Sequence, residues 1–290
     1  RSRSAYSNET EASARELVFW WQSLKGGLTQ DEKKTKETAT IALVTPYPPE
    51  KTGIADYSAL LGSALGAAVD VTIVVGEFHQ KDSPPGLKTV SWFEKNYSDF
   101  DYIVYQFGNS PAHAFMMNLI KNIPGIVDLH DIFLGDYFYW QSQADPDAPT
   151  LADVLAGAHG VQALVLLHDS VQQAIKTYPC TPEILKFATG VIVHSEYSKD
   201  FLIRLFGESV EEHIEVLPVY VAKRVKKEKL VARRELGIAE DEILVCTFGF
   251  VNPNKLSLPL FEAVALWAKG KKVRLAFVGS NDPGVYGKKL

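Results

Sequence analysis

The chain has 290 residues, of which 46% are hydrophobic and 22% charged, a composition typical of a soluble globular protein with its own core. Its length suits two domains, and its formal net charge of −5 gives no general reason to bind nucleic acid. The two cysteines lie far apart in a pattern that fits no metal motif, and no apolar run approaches the roughly 20 residues of a membrane helix.

Residues 1–40 differ from the rest of the chain. The stretch ARELVFWWQSLKGG predicts a short helix, and LTQDEKKTKETAT after it predicts a charged linker. The pair Trp20 and Trp21 could dock on a partner or a membrane surface, or pack on a domain, and we favour packing. Because the first residue is not Met, we expect the chain to belong to a longer protein with further domains.

From residue 41, apolar β-branched runs alternate with helical patterns. The predicted strands are 41–45, 69–75, 101–107, 125–130, 189–195, 214–219, 242–250 and 273–279. The predicted helices are 56–68, 111–122, 161–178, 196–207 and 256–270, with Ser195 as a helix cap. This alternation predicts an α/β fold made of βαβ units with parallel sheets.

A break in the pattern divides the chain. The stretch VAKRVKKEKLVARRELGIAED, residues 221–241, is strongly basic and leads into a predicted helix that ends near Gly237. We therefore predict a Rossmann-like domain over 41–220 and the first part of a second such domain over 221–290.

The first loop after a predicted strand, TPYPPEKTGIADYS, has three prolines and a glycine between strand and helix. Prolines keep such a loop out of helix and sheet, and Gly53 lets backbone come close to a ligand. The helix N-terminus that follows favours binding of an anion or a hydroxyl-rich ligand. A loop that only connects the strand to the helix could have a similar sequence. The loop is neither a GxGxxG fingerprint nor a P-loop, which disfavours NAD enzymes and P-loop NTPases.

A similar loop, VNPNK, follows the strand EILVCTFGF. Its Lys255 stands just before a predicted helix, where an ammonium beside free amides suits a diphosphate. A solvated loop lysine is the alternative interpretation, and the position at a strand end favours binding.

Histidines follow two other predicted strands. His130 ends GIVDLH, beside Asp131, and could bind a sugar hydroxyl or steer a proton. His194 and Ser195 end another strand and could reach the rim of the same cleft. We interpret His168 with Asp169 as structural.

Other charged patterns favour solvated surface. The pairs Asp99–Asp101 and Asp145–Asp147 have a spacing that could hold a metal on a diphosphate, but both fit solvated turns better. The basic stretch 223–234 could touch acidic lipid, and a solvated linker is the simpler interpretation.

Taken in order, IALVTPYPPEKTGIADYS, VDLHD, GVIVHSEYSKDFL, IEVLPV and FGFVNPNKLSLPLFEAVALW resemble glycosyltransferase family 4, the retaining enzymes of GT-B fold. The resemblance covers about residues 41–290. It implies two Rossmann-like domains, an acceptor-side one over 41–220 and a nucleotide-sugar-side one that starts at 221.

By this resemblance, Lys255 holds the donor diphosphate, Gly53 lies against the phosphates and donor sugar, and His130 acts near the transferred sugar. The donor would be a UDP- or GDP-sugar, with no covalent cofactor and no metal. The acceptor would be a glycan, lipid-linked or protein-linked, in the synthesis of bacterial polysaccharide, lipopolysaccharide or glycoprotein. The place would be the cytoplasm, with peripheral contact to the inner membrane face.

The sequence departs from the family pattern in two ways. The family often has an arginine soon after the strand's glycine, whereas Gly249 is followed by Phe250 and Val251. The family's E-x7-E element would fall beyond residue 290, so we expect these residues alone to be weak or inactive. A noncatalytic sugar-nucleotide or glycan-binding module and a GT-B sugar-nucleotide epimerase are the alternative functions.

Overall fold

The computed structural model describes residues 39–77, 86–221 and 227–290. The helix predicted around Trp20 and the linker after it lie outside these residues. The chain divides into two compact units between Lys223 and Arg224, and each is described here by itself. None of the described helices is long and apolar enough to cross a lipid bilayer.

The first unit is built on a seven-stranded sheet in which all the paired strands are parallel. Its strands are β1 (Thr40–Val44), β2 (Asp70–Val75), β3 (Lys88–Thr89), β4 (Tyr102–Phe107), β5 (Gly125–Leu129), β6 (Ala188–Val193) and β7 (Ile214–Val216). They lie in the order β3–β2–β1–β4–β5–β6–β7, which confirms the predicted Rossmann-like α/β fold. The order reverses between β1 and β4, the point at which such sheets bind ligands.

Nine described helices accompany this sheet. They are α1 (Gly53–Leu65), α2 (Val90–Asn96), α3 (Ala114–Asn122), α4 (Gly135–Ala144), α5 (Leu151–His159), α6 (Val161–Asp169), α7 (Val171–Thr177), α8 (Pro182–Leu185) and α9 (Glu196–Phe206). Sequence reasoning missed β3, α2, α4, α5 and α8. It also predicted one helix over 161–178, which was wrong: Ser170 adopts an extended conformation and caps α7 by accepting from the Gln173 amide.

Alternate residues of the central strands point to different cores. Ile41 and Leu43 of β1 pack with Leu61 and Leu65 of α1 in the smaller core. Ala42 and Val44, between them in sequence, pack into the larger core on the opposite face. Both faces of the sheet are therefore covered, which explains why its strands read as nearly continuous apolar runs.

The second unit has a smaller sheet. The strands β8 (Ile243–Phe248) and β9 (Val273–Val278) pair in parallel, with α11 (Ser257–Trp267) between them in sequence. The helix α10 (Lys229–Glu235) precedes them and ends before Gly237, whose φ of 63° is the left-handed conformation that glycine adopts readily. The helix end predicted near Gly237 is confirmed.

Candidate functional site

The carboxyl edge of the first sheet carries polar side chains on one face of three neighbouring strands. Gln106 of β4 lies beside Asp128 of β5, and Asp128 lies beside Ile192 of β6. Two residues further along each of the last two strands come His130 and His194. Because side chains alternate along a strand, this polar group continues the face on which Val104, Ile126 and Ile192 meet the smaller core.

The buried amide of Gln106 joins two members of this group. Its Nε2 donates to Oδ2 of Asp128 at 2.9 Å, and its Oε1 lies 2.6 Å from Nε2 of His130. Because Oε1 can only accept, Nε2 of His130 carries the proton and donates. Gln106 and Asp128 are 0% and 1% exposed, so water does not compete for these bonds. The ring of His130 is therefore held in one orientation and one tautomer.

The ring of His194 lies against that of His130, with 4.7 Å between the centroids. Its Nδ1 donates to the carbonyl of Leu217 at 2.9 Å, which leaves Nε2 facing Oδ1 of Asp128 at 3.3 Å. Sequence reasoning gave His194 a place at the rim of the cleft. The structure brings it into direct contact with the His130 group.

Tyr57 of α1 covers the two imidazoles. Its ring centroid is 4.9 Å from that of His130 and 6.1 Å from that of His194. Burial raises the pKa of the Tyr57 phenol, with a further contribution from the nearby Asp128 carboxylate. Burial also lowers the pKa of His130, although the Asp128 charge opposes this. At neutral pH the group thus offers a neutral imidazole and a neutral phenol.

Gly53 is the first residue of α1, at the same edge. It follows a loop with a cis Pro48–Pro49 bond and the helix cap Thr52, whose hydroxyl accepts from the Ala55 amide. Tyr57 lies one turn further along the helix, so its contact with His130 brings the start of α1 and His130 together. Within the described chain, the amides of Gly53 and Ile54 have no acceptor.

The surroundings of Gly53 do not explain why the residue is glycine. A Cβ added there would meet no atom within 4 Å, and its φ is not positive. Neither packing nor backbone conformation in the first unit therefore requires glycine here.

Asp131 has a structural partner beside the site. Its Oδ2 accepts from the Asn109 amide at 3.0 Å. The side chain of Asn109 in turn donates to Asp136 and accepts from the Tyr137 amide at the start of α4. These bonds join the loop after β4 to the loop after β5, next to His130.

Lys255 belongs to the second unit. It ends a short 3-10 turn, Pro253–Lys255, two residues before α11 begins, and it is exposed. Leu256 between them has a φ of 52°, which is unusual for a residue with a branched side chain. The first turn of α11 offers fewer free donors than the sequence predicts, because the Leu258 amide donates to the Tyr286 hydroxyl and Pro259 has no amide hydrogen. That Lys255 works together with Gly53 and His130 stays a prediction.

The other charged pairs have partners within the protein. Asp101 accepts from the amide and hydroxyl of Thr40, so it joins β1 to β4. Asp145 accepts from the Asp147 amide in an exposed turn, as the solvated-turn interpretation predicts. His168 lies at the exposed end of α6 beside Asp169, not in the middle of a longer helix.

Sequence reasoning missed Gln106, Asp128 and Tyr57. A usable signal was present for the first two, since each is a polar residue that interrupts an apolar strand, in YIVYQF and GIVDLH. In a strand covered on both faces, such a residue is buried and needs a partner. Tyr57 gave no comparable signal, because an aromatic residue in an amphipathic helix normally packs into a core.

Comparison of the sequence with models of protein families gives no match, and comparison with curated proteins gives none. Function is therefore inferred from the fold and from the residues at the carboxyl edge of its larger sheet.

Proposed function

We propose that the chain is part of a retaining glycosyltransferase that moves a sugar from a nucleoside-diphosphate sugar to a glycan, lipid-linked or protein-linked acceptor in bacterial surface polysaccharide or glycoprotein synthesis. The observation that carries the proposal is the pairing of an oriented, neutral His130 with the uncapped amides of Gly53 and Ile54 at one sheet edge. The family resemblance supplies the reaction type.

The amides at the start of α1 suit the negatively charged diphosphate of such a donor. Two free N–H groups and the partial positive charge of a helix N-terminus stabilise phosphate oxygens. The exposed Gly53 leaves space for those oxygens to approach the backbone. Lys255 is assigned to the same diphosphate by the family resemblance.

His130 can bind a hydroxyl group of the transferred sugar. With its proton on Nε2 held by Gln106, a neutral ring has a lone pair on Nδ1 that can accept from a sugar hydroxyl. Tyr57 and His194 both pack against the ring and restrict its movement. The role of His130 is thus to orient the sugar that is transferred.

The reaction breaks the bond between the anomeric carbon and the leaving phosphate oxygen and forms a bond to the acceptor oxygen on the same face. The acceptor proton passes to the departing phosphate oxygen, so atoms and charges balance without a covalent enzyme intermediate. Negative charge builds on the diphosphate as it leaves. Helix amides and a lysine stabilise that charge more in the transition state than in the ground state, which is what accelerates the step.

Calorimetric titration with UDP-, GDP- and ADP-sugars tests this proposal. Lys255→Ala is compared with Lys269→Ala, which removes the same charge from an exposed lysine beyond the other end of α11. A charged hydrogen bond is worth roughly 1.5–3 kcal/mol, so Lys255→Ala should weaken binding of the best nucleotide sugar by about tenfold or more. Lys269→Ala should bind like the wild type. Equal affinities for both variants would show that Lys255 does not hold the donor.

Product analysis separates this function from its alternatives. A glycosyltransferase releases nucleoside diphosphate and lengthens an acceptor with the anomeric configuration retained. An epimerase converts the donor sugar without any acceptor, and a binding module leaves the donor intact. A cytoplasmic location with peripheral contact to the inner membrane face belongs to the same proposal, and flotation of the protein with anionic vesicles would test it.

A further inference from the structure

We propose that Asp128, His130 and His194 form a binding site for a divalent transition-metal ion of the zinc class. One ligand-capable atom from each residue lies within 4.8 Å of the other two. The residues come from the ends of two adjacent central strands, so rigid backbone holds all three. The inference goes beyond the proposed glycosyl transfer, for which the family resemblance implies no metal.

Two atoms of the group face each other at 3.3 Å and make no hydrogen bond. Oδ1 of Asp128 and Nε2 of His194 are both buried, and neither has a hydrogen-bond partner in the described part of the chain. The Asp128 side chain is 2% exposed. A buried polar atom without a partner is costly and rare, and a bound ion is one of its standard explanations.

The other atoms of the same residues are already held by outer partners. Gln106 binds the second carboxylate oxygen of Asp128 and the Nε2 proton of His130. The Leu217 carbonyl binds the Nδ1 proton of His194. Metal-binding histidines usually donate their second ring proton to a carbonyl, a carboxylate or a similar acceptor, which fixes the tautomer and directs the free nitrogen at the ion. Both histidines here have one ring nitrogen bonded to such an acceptor, an amide oxygen for His130 and a carbonyl for His194.

The distances suit a tetrahedral ion. Zinc bonds to nitrogen and oxygen are about 2.0–2.2 Å long, so neighbouring tetrahedral ligand atoms lie roughly 3.3–3.5 Å apart. Nε2 of His194 and Oδ1 of Asp128 are 3.3 Å apart. The remaining pairs lie within 4.8 Å, so each would have to close by at most about 1.5 Å.

The ligand set selects the ion. Two imidazoles and one carboxylate favour zinc and its transition-metal neighbours, whereas magnesium and calcium prefer oxygen ligands alone. Three protein ligands leave a fourth position for water or another small ligand. If the proposed glycosyl transfer also takes place, an ion here would engage His130, so zinc should inhibit the transfer.

The test is titration of metal-free protein, without a polyhistidine tag, by zinc calorimetry and by the visible spectrum of added cobalt(II). The expected result is one ion per chain and an intense cobalt spectrum typical of a four-coordinate site with nitrogen and oxygen ligands. A weak, octahedral-type cobalt spectrum in the wild type, or no zinc binding, would overturn the proposal whether or not any variant folds.

Matched variants locate the site. His194→Ala and Asp128→Asn should each weaken zinc binding at least about tenfold, since the first removes a ligand nitrogen and the second replaces a charged carboxylate by a neutral amide. His168→Ala is the control, because His168 is an exposed histidine next to an aspartate outside the site. Circular dichroism confirms that each variant is folded. Zinc binding that survives His194→Ala and Asp128→Asn, or that is lost in His168→Ala, would overturn the assignment. Nucleotide-sugar binding is measured separately, so the two proposals fail or succeed independently.

Discussion

Gln106→Leu should strongly destabilise the first unit, although leucine has a similar volume. Gln106 is 0% exposed and bonds to both Asp128 and His130. The bond to the Asp128 carboxylate is worth about 1.5–3 kcal/mol, and an unpaired buried N–H on His130 costs roughly 1–3 kcal/mol. We therefore expect the free energy of unfolding to fall by about 3–5 kcal/mol.

A double variant isolates the physical cause. Gln106→Leu/Asp128→Leu removes the carboxylate together with its partner, so no buried charge is left unpaired. Only the His130 proton then lacks an acceptor, and the loss should shrink to about 1–3 kcal/mol. The double variant is thus expected to be more stable than the single one.

Urea unfolding at pH 7.5, followed by far-UV circular dichroism, measures these differences. Gln172→Leu is the control, because Gln172 is an exposed residue of α7 and its substitution should stay within about 0.5 kcal/mol of the wild type. A loss below about 1 kcal/mol in Gln106→Leu would refute the reasoning. So would a double variant that is less stable than Gln106→Leu.

Two further predictions concern the neighbourhood of this site. Gly53→Ala and Gly157→Ala each place a Cβ in open space on a helix, so each should leave the free energy of unfolding unchanged or raise it by up to about 1 kcal/mol in urea titrations. Calorimetry should show weaker nucleotide-sugar binding only for Gly53→Ala, and equal affinities would remove Gly53 from the site. Burial lowers the pKa of His113 to about 4, so the unfolded chain binds more protons than the folded one between pH 6.5 and pH 4, and stability falls as pH falls through that range. Between pH 7.5 and pH 5 the protonation of this histidine should lower the free energy of unfolding by about 2 kcal/mol. His113→Asn keeps a donor for the Gln106 carbonyl but does not titrate. Between pH 7.5 and pH 5 the variant should therefore lose about 2 kcal/mol less of its free energy of unfolding than the wild type does. An equal loss in both proteins would show that His113 is not the group responsible.

Most of the regular structure follows from the sequence because strand and helix periods are local properties. All eight predicted strands are present, and Ser195 caps α9 as its hydroxyl position suggested. The helix α4 was missed because its sequence, GDYFYWQSQA, has aromatic and polar residues on several sides. The break at Ser170 was missed because one residue's capping preference competed with a continuous apolar pattern on both sides.

The site could be predicted only in part, since strand order and register are not local properties. His130 could be found because it directly follows an apolar strand. Its contacts with Gln106 and His194 depend on β4, β5 and β6 being neighbours in that register, which no stretch of sequence states. The relation of Lys255 to these residues depends on two separate units and was inferred only from the family resemblance.

Amide hydrogen exchange at Gly53 and Ile54 tests the central claim most directly. These two amides lack acceptors in the described chain, so they should exchange quickly in the free protein. When the nucleotide sugar that binds best is added at saturating concentration, both should slow markedly, and the backbone around His130 should slow with them. Exchange at Gly53 and Ile54 that stays fast with every nucleotide sugar tried would contradict the claim that this edge of the sheet binds the donor.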